Sequence, residues 1–335
     1  MKPNRREFIE SATLAIAAGS TLMAQDNPSG GIPKRPLGPT GLQVSIIGVG
    51  GYHLGSAKDP AEAKAIVDEA IDAGINFFDN AWDYHDGGSE EWLGAALKGK
   101  RDRVVLMTKV CTHGRDKNVA MQQLEESLRR LQTDHLDVWQ IHEVIYDNDP
   151  DLIFRPNGAA EALVQAKKDG KVRFVGFTGH KDPSIHLKML SHNFPFDTVQ
   201  MPLNCLDATF RSFEQHVLPE ANRRGMAVLG MKSMGGSGEL VTHGAVNAAE
   251  ALRYAMSLPV AVTISGMESP GVLRQNLEIV RGFQPMSAPE MQNLRDRCRF
   301  NASDGRFELF KTTKKYDGDV GRKQHGFPDA TELPA

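Results

Sequence analysis

From Gln43 onward the chain alternates short β-branched or apolar runs with stretches whose apolar residues recur every three to four positions. The first kind suits a strand buried on both faces, the second a helix with one face toward a core. Strands are expected at 45–49, 76–79, 104–109, 137–142, 172–178, 198–201, 227–231 and 261–265. Helical periodicity is clearest at 60–73, where Ala63, Ile66, Val67, Ala70 and Ile71 share a face, and at 118–131, with Met121, Leu124, Leu128 and Leu131. Gly74 follows the first helix, and Gly170 follows 159–168, whose Lys167 and Lys168 oppose the negative end of the helix dipole. Strands alternating with helices imply a parallel sheet with right-handed crossovers, and eight such units imply an α/β fold, a (β/α)8 TIM barrel closed as one domain.

A doubly wound dinucleotide-binding sheet is the rival. Gly48-Val49-Gly50-Gly51-Tyr52-His53 follows a strand and opens like its glycine-rich turn. His53, however, stands where a small residue is needed, and Asp79 comes roughly 30 residues after the turn where roughly 20 is expected.

The first 24 residues read as an export signal: a charged start, then the weakly apolar small-residue run 11–24. Arg5-Arg6-Glu7-Phe8-Ile9 resembles the twin-arginine (Tat) motif, which implies the Tat export machinery as a partner and a periplasmic or otherwise exported destination for an already folded chain. The run is short of the roughly 20 residues that span a bilayer, so no membrane span is expected in the mature protein. Residues 25–34 read as a linker, 35–282 as the barrel, and 283–335 as an extension that begins with a helix at 288–299 and turns polar and basic through Lys311-Thr312-Thr313-Lys314-Lys315.

Composition narrows the function. The 335 residues carry a net charge of −3, which argues against a nucleic-acid partner. Cys111, Cys205 and Cys298 are too widely spaced for a C-x-x-C motif, their odd number rules out a complete disulfide framework, and a chain folded before export needs none. The acidic run from Asp147 to Asp151 lacks the glycine and the final carboxylate of a calcium loop, and no metal is expected. His180, His186 and His192 read as surface histidines, because a six-residue spacing gathers nothing on one helix face.

In such a barrel, polar residues at the C-terminal strand ends face the active site. Asp79, Lys109 and His142 end consecutive expected strands, and Tyr84 follows Asp79 by five residues. A buried ammonium beside a phenol favours the phenolate and is expected to lower the Tyr84 pKa toward neutrality. Asp79 keeps Lys109 charged, and His142 supplies a donor to a carbonyl oxygen. The set holds no nucleophile, so a pocket that only protonates a carbonyl needs a hydride from a nicotinamide.

At these residues the chain resembles the aldo-keto reductase superfamily. Arg35-Pro36-Leu37-Gly38-Pro39-Thr40-Gly41-Leu42 resembles its barrel-plugging hairpin, and Asp79-Asn80-Ala81-Trp82-Asp83-Tyr84 with Ser89-Glu90-Glu91-Trp92-Leu93-Gly94 its signature segment. Gly170-Lys171-Val172-Arg173-Phe174-Val175-Gly176 and Val199-Gln200-Met201-Pro202-Leu203-Asn204 are similar to later blocks. The resemblance implies reduction of an aldehyde or ketone, with Tyr84 as general acid, Asp79 and Lys109 tuning it, and His142 orienting a small carbonyl substrate near Tyr52 and Trp82. It implies a nicotinamide held at Gly51, Tyr52, Asp79, Thr178, Gln200, Met231 and Lys232. Ser265, Gly266 and Met267, with Arg274, Gln275 and Asn276, would take the adenosine end. Gly179 replaces the family's Asn after the fifth strand, and Met231 its stacking Tyr. Arg274 favours NADPH as the cofactor, with NADH the alternative. Two other readings stay open: an exported nicotinamide-binding sensor or partner subunit with incidental turnover, and a sugar oxidoreductase with tightly bound cofactor.

Overall fold

The computed structural model describes residues 31–111 and 115–319, together with residues 323, 328 and 332. The expected Tat motif and signal segment lie outside the described residues. Among the described residues, no helix is long and apolar enough to cross a membrane.

A two-stranded antiparallel hairpin, β1 (Lys34–Pro36) and β2 (Gln43–Ser45), precedes a closed parallel barrel of eight strands. The barrel strands are β3 (Ile47–Gly50), β4 (Phe77–Asp79), β5 (Val105–Val110), β6 (Leu136–Ile141), β7 (Val172–Thr178), β8 (Thr198–Pro202), β9 (Ala227–Met231) and β10 (Val262–Gly266). Each pairs with the next, and β10 closes on β3. All eight expected strands are present, β7 and β9 with the expected bounds. The first begins later than expected because Ser45 belongs to the hairpin, pairing with Lys34.

Alternation along the strands decides what enters the barrel. Phe77 of β4, Val105 and Met107 of β5, Val138 of β6 and Leu229 of β9 form one inner cluster, while their neighbours Phe78, Leu106, Trp139 and Val228 pack outward against the helices. Leu37 and Val44 of the hairpin join the inner cluster and plug the floor. Gly38 makes that plug fit: its φ is +53°, and a Cβ there would lie 2.9 Å from the Ala227 nitrogen. Continuing the same alternation upward carries Asp79, Lys109, Gln140 and His142 to the inner side at the C-terminal ends.

The outer helices follow their local punctuation. Helix Pro60–Ala73 starts at Asp59, whose carboxylate accepts the Glu62 amide at 2.9 Å, and stops at Gly74 with φ 105°. Helix Ala159–Lys168 is followed by Gly170 at φ 72°.

The C-terminal extension, polar and basic through 311–315, packs back onto the barrel. After helix Ala288–Ala302 the chain crosses the barrel mouth. Lys311 is fully buried, with its ammonium 2.6 Å from Asp207, 3.0 Å from Glu308 and 2.8 Å from the Phe210 carbonyl. Asn204 donates to Glu308 at 3.0 Å. Lys181 pairs with Asp317 at 2.7 Å, Tyr316 donates to Glu239 at 2.8 Å, and the Gly318 amide donates to Glu143 at 2.9 Å. This segment therefore straps together the loops that follow β6, β7, β8 and β9. A basic run in isolation gives no sign of partners about a hundred positions away.

Candidate active site

The loop after β4 is stitched to β5 by backbone bonds, Asn80 N–H to Met107 O at 2.9 Å and Trp82 N–H to Lys109 O at 3.0 Å. It then turns through His85 and Asp86, both left-handed with φ 53° and 54°. His and Asp visit this region more readily than most side chains, and such local strain clusters at functional sites. The turn drops Tyr84 over the mouth. Lys109 Nζ contacts Asp79 Oδ1 at 2.6 Å, the Asn80 carbonyl at 2.7 Å and the Tyr84 hydroxyl at 3.2 Å. The His142 ring meets the Tyr84 ring edge-on, with centroids 5.6 Å apart. Asp79, Lys109 and His142, read from strand ends, thus share one site with Tyr84.

The electrostatics differ from expectation. Burial, then the carboxylates of Asp79, Asp83 and Glu143, push the Tyr84 phenol well above its ordinary value, where the sequence suggested that Lys109 would lower it. The reason is geometric: Asp79 lies closer to the Lys109 ammonium than Tyr84 does and offsets its charge. Tyr84 is a protonated donor across the neutral range.

Two acids that sequence reasoning missed complete the pocket. Asp83 Oδ1 lies 3.2 Å from His142 Nδ1, and although burial pushes its carboxyl up, His142 holds it below the usual range. Glu143, left-handed at φ 49°, faces Cys111 at 3.9 Å and receives the Gly318 amide. Both adjoin a residue already identified, which is the signal that could have found them. No such signal marks Arg115, fully buried and itself left-handed at φ 57°. It donates to the carbonyls of His142 and Glu143 and forms a bidentate pair with Asp149 at 3.1 and 3.0 Å. Asp149 also accepts the Ile145 and Tyr146 amides. This clamp fixes the backbone that carries His142.

The positions the resemblance assigned to a nicotinamide separate into groups. Gly51 approaches the Asp79 carbonyl so closely that a Cβ would lie 2.5 Å away. Tyr52 is half-exposed, with its ring edge-on to Tyr84 at 5.5 Å. Thr178 ends β7 and pairs in register with Gln200 in the middle of β8, and Met231 ends β9 half-buried. Gln200 Oε1 and Asn80 Nδ2 are buried without a hydrogen-bond partner among the described residues. An orphaned acceptor and an orphaned donor of this kind fit a carboxamide, which offers the complement of each. Lys232 is half-buried with φ 55°, between the rings of Phe310 at 5.3 Å and Tyr316 at 4.7 Å; burial brings its pKa down to about 8.

At the adenosine end, Asn276 donates to Ser265 Oγ at 3.1 Å and to the Gly266 carbonyl at 3.3 Å, which ties its helix to the end of β10. Met267 is buried in the core, and Gln275 is exposed. Arg274 forms a bidentate pair with Glu69 of the neighbouring helix at 2.8 and 3.0 Å. Trp82 donates its indole N–H to Glu126 at 2.6 Å, with Arg130 above its ring. The surface reading of the histidines fails for two of the three: His180 and His186 are buried, and burial draws His186 down to about 4. Only His192 is exposed, stacked on Phe154.

A closed parallel barrel carrying Asp, Tyr, Lys and His at its C-terminal mouth defines the class to compare with. The chain belongs to the aldo/keto reductase family, whose model matches residues 46–242. It is 30% identical over 199 residues to aldo-keto reductase YhdN of Bacillus subtilis, covering 55% of this chain and 57% of that protein. It is 35% identical over 158 residues to L-galactose dehydrogenase of Arabidopsis thaliana, covering 44% of this chain and 49% of that one. The chain thus spans about half the length of these curated relatives. Among solved structures, aldo-keto reductase AKR11C1 from Bacillus halodurans in its holo form superimposes with a TM-score of 0.67 at 25% identity, covering 79% of this chain and 96% of that one.

Proposed function

We propose that this protein is a nicotinamide-dependent oxidoreductase that reduces an aldehyde or ketone to an alcohol. One observation carries the reading: the Lys109 ammonium touches Asp79, the Asn80 carbonyl and the Tyr84 hydroxyl at once, in the mouth of the barrel. A nicotinamide, when bound, supplies the hydride; Gln200 and Asn80 would hold its carboxamide, with Thr178, Met231 and Gly51 around the ring. Tyr84 gives its proton to the carbonyl oxygen as the alcohol forms, and Lys109 donates a hydrogen bond to the phenolate left behind. His142, kept in place by Asp83, holds the same oxygen from the other side. The phenol is protonated, as a proton donor must be, although its raised pKa makes it a weaker acid than a free tyrosine.

Tyr84→Phe tests the assignment. The variant is expected to fold, to bind nicotinamide as the parent does, and to lose on the order of 10²–10⁴ in kcat; turnover within a fewfold of the parent would sink it. The half-exposed Tyr52, the mouth carboxylates Asp83 and Glu143, and the likeness to an L-galactose dehydrogenase support a polyhydroxylated aldehyde, which a panel of aldoses, short aldehydes and quinones with NADPH and NADH would decide. The reading includes export as a folded chain, on the strength of Arg5-Arg6. Fractionation of cells expressing the parent and Arg5→Lys/Arg6→Lys tests it, since equal extracytoplasmic amounts of the two would count against it.

A further inference from the structure

Asp83 lies in the loop after β4, and Cys111 and His142 directly follow β5 and β6, yet a carboxylate oxygen, the thiol sulfur and an imidazole nitrogen all lie within 4.8 Å of one another. The carboxylate and imidazole are already 3.2 Å apart. Tetrahedral zinc, with bonds of about 2.0–2.3 Å to N, O and S donors, sets neighbouring ligand atoms about 3.3–3.6 Å apart. The triad reaches that spacing by a contraction of roughly 1 Å on the sulfur side. Its donors are one hard oxygen, one imidazole and one soft sulfur, a set that suits zinc or cobalt over magnesium or calcium. All three groups sit at the mouth, Cys111 fully buried and Asp83 and His142 largely so, with a fourth position left for solvent or substrate. Glu143 adds a nearby negative charge 3.9 Å from the sulfur, and Arg115 holds the His142 and Glu143 carbonyls so that this corner is rigid.

We infer that Asp83, Cys111 and His142 form a binding site for a thiophilic divalent cation such as Zn²⁺. Binding displaces the thiol proton to solvent and forms a metal–thiolate bond; no electrons are transferred. The metal takes His142 away from a carbonyl oxygen, so zinc excludes substrate from the mouth. That consequence rests on the carbonyl reductase reading, whereas the binding itself does not.

The experiment uses tag-free, full-length protein titrated with Co²⁺ and followed by absorbance. The parent is expected to develop a thiolate-to-cobalt charge-transfer band in the near ultraviolet together with tetrahedral d–d bands, reversed by added Zn²⁺. Cys111→Ser, which leaves Tyr84 and Lys109 themselves unchanged, is expected to lose the charge-transfer band and to weaken cobalt binding on the order of tenfold or more, since loss of a mere outer partner already costs 10–100-fold. Cys205→Ser and Cys298→Ser are expected to keep the band. No band in the parent, or a band that survives Cys111→Ser, overturns the site. A second arm measures carbonyl reduction. Zinc inhibition that is competitive with the carbonyl substrate and relieved in Cys111→Ser supports the consequence. A band at Cys111 without such inhibition keeps the site and overturns only the exclusion of substrate.

Discussion

Asp79 and Lys109 form an ion pair of 2.6 Å in which the carboxylate is 5% exposed and the ammonium 1%. A pair this deep is sensitive to the loss of one member, because the other is left as an uncompensated buried charge, at a cost of about 3–5 kcal/mol. Lys109→Met is therefore expected to lose activity and also to unfold at markedly lower denaturant. The double variant Asp79→Asn/Lys109→Met, which leaves no bare charge, should recover part of that stability while remaining inactive. Denaturant unfolding of the three proteins checks this; a Lys109→Met midpoint equal to the parent's would refute it.

The Arg115–Asp149 clamp predicts a second coupling. Arg115→Met strands the Asp149 carboxylate and frees the carbonyls of His142 and Glu143, whose backbone is left-handed at Glu143. Arg115→Met and Asp149→Asn are each expected to reduce kcat/KM and stability. Together they should cost clearly less than the sum, with an interaction energy of about 0.5–3 kcal/mol. Additive losses in a double-mutant cycle would mean that the two act separately.

Much of the barrel was legible because each strand announces itself by composition and each helix by period, and because alternation along a strand fixes which ends point inward. Asp79, Lys109 and His142 could be found that way, and Tyr84 by its position after Asp79. The Arg115–Asp149 contact spans 34 positions and the Lys311–Asp207 contact 104. Nothing periodic links such partners, so a buried Lys in a basic run and a buried Arg in a loop both look like surface. The direction of the Tyr84 shift was hidden for a related reason: it depends on three carboxylates around the phenol, of which only Asp79 had been placed there.

Arg274 gives the third prediction. With its guanidinium engaged by Glu69 on the neighbouring helix, it is not poised for a 2′-phosphate. Arg274→Ala is expected to leave the ratio of kcat/KM for NADPH over NADH within about twofold of the parent, a change under about 0.5 kcal/mol. A selective tenfold loss with NADPH would show that the ion pair opens to receive the phosphate.

Glu308 provides the last, a pH dependence. Burial raises its carboxyl from 4.5 to about 7, against the pull of Lys311, and burial raises Asp207 in the same direction. The unfolded chain holds the Glu308 proton only below about 4.5, so between there and about 7 the folded state binds more protons. Stability from this group is thus fully present at the acid side of the window and declines as pH rises through it. At about 1.4 kcal/mol per unit, the upper bound is about 3.5 kcal/mol. Glu308→Gln keeps an acceptor for Asn204 but cannot ionise. Melting the parent and the variant at about pH 5 and about pH 8, the parent is expected to lose several degrees relative to Glu308→Gln on going to the higher pH. A relative gain instead would mean that Glu308 is ionised and stabilising when the strap is closed.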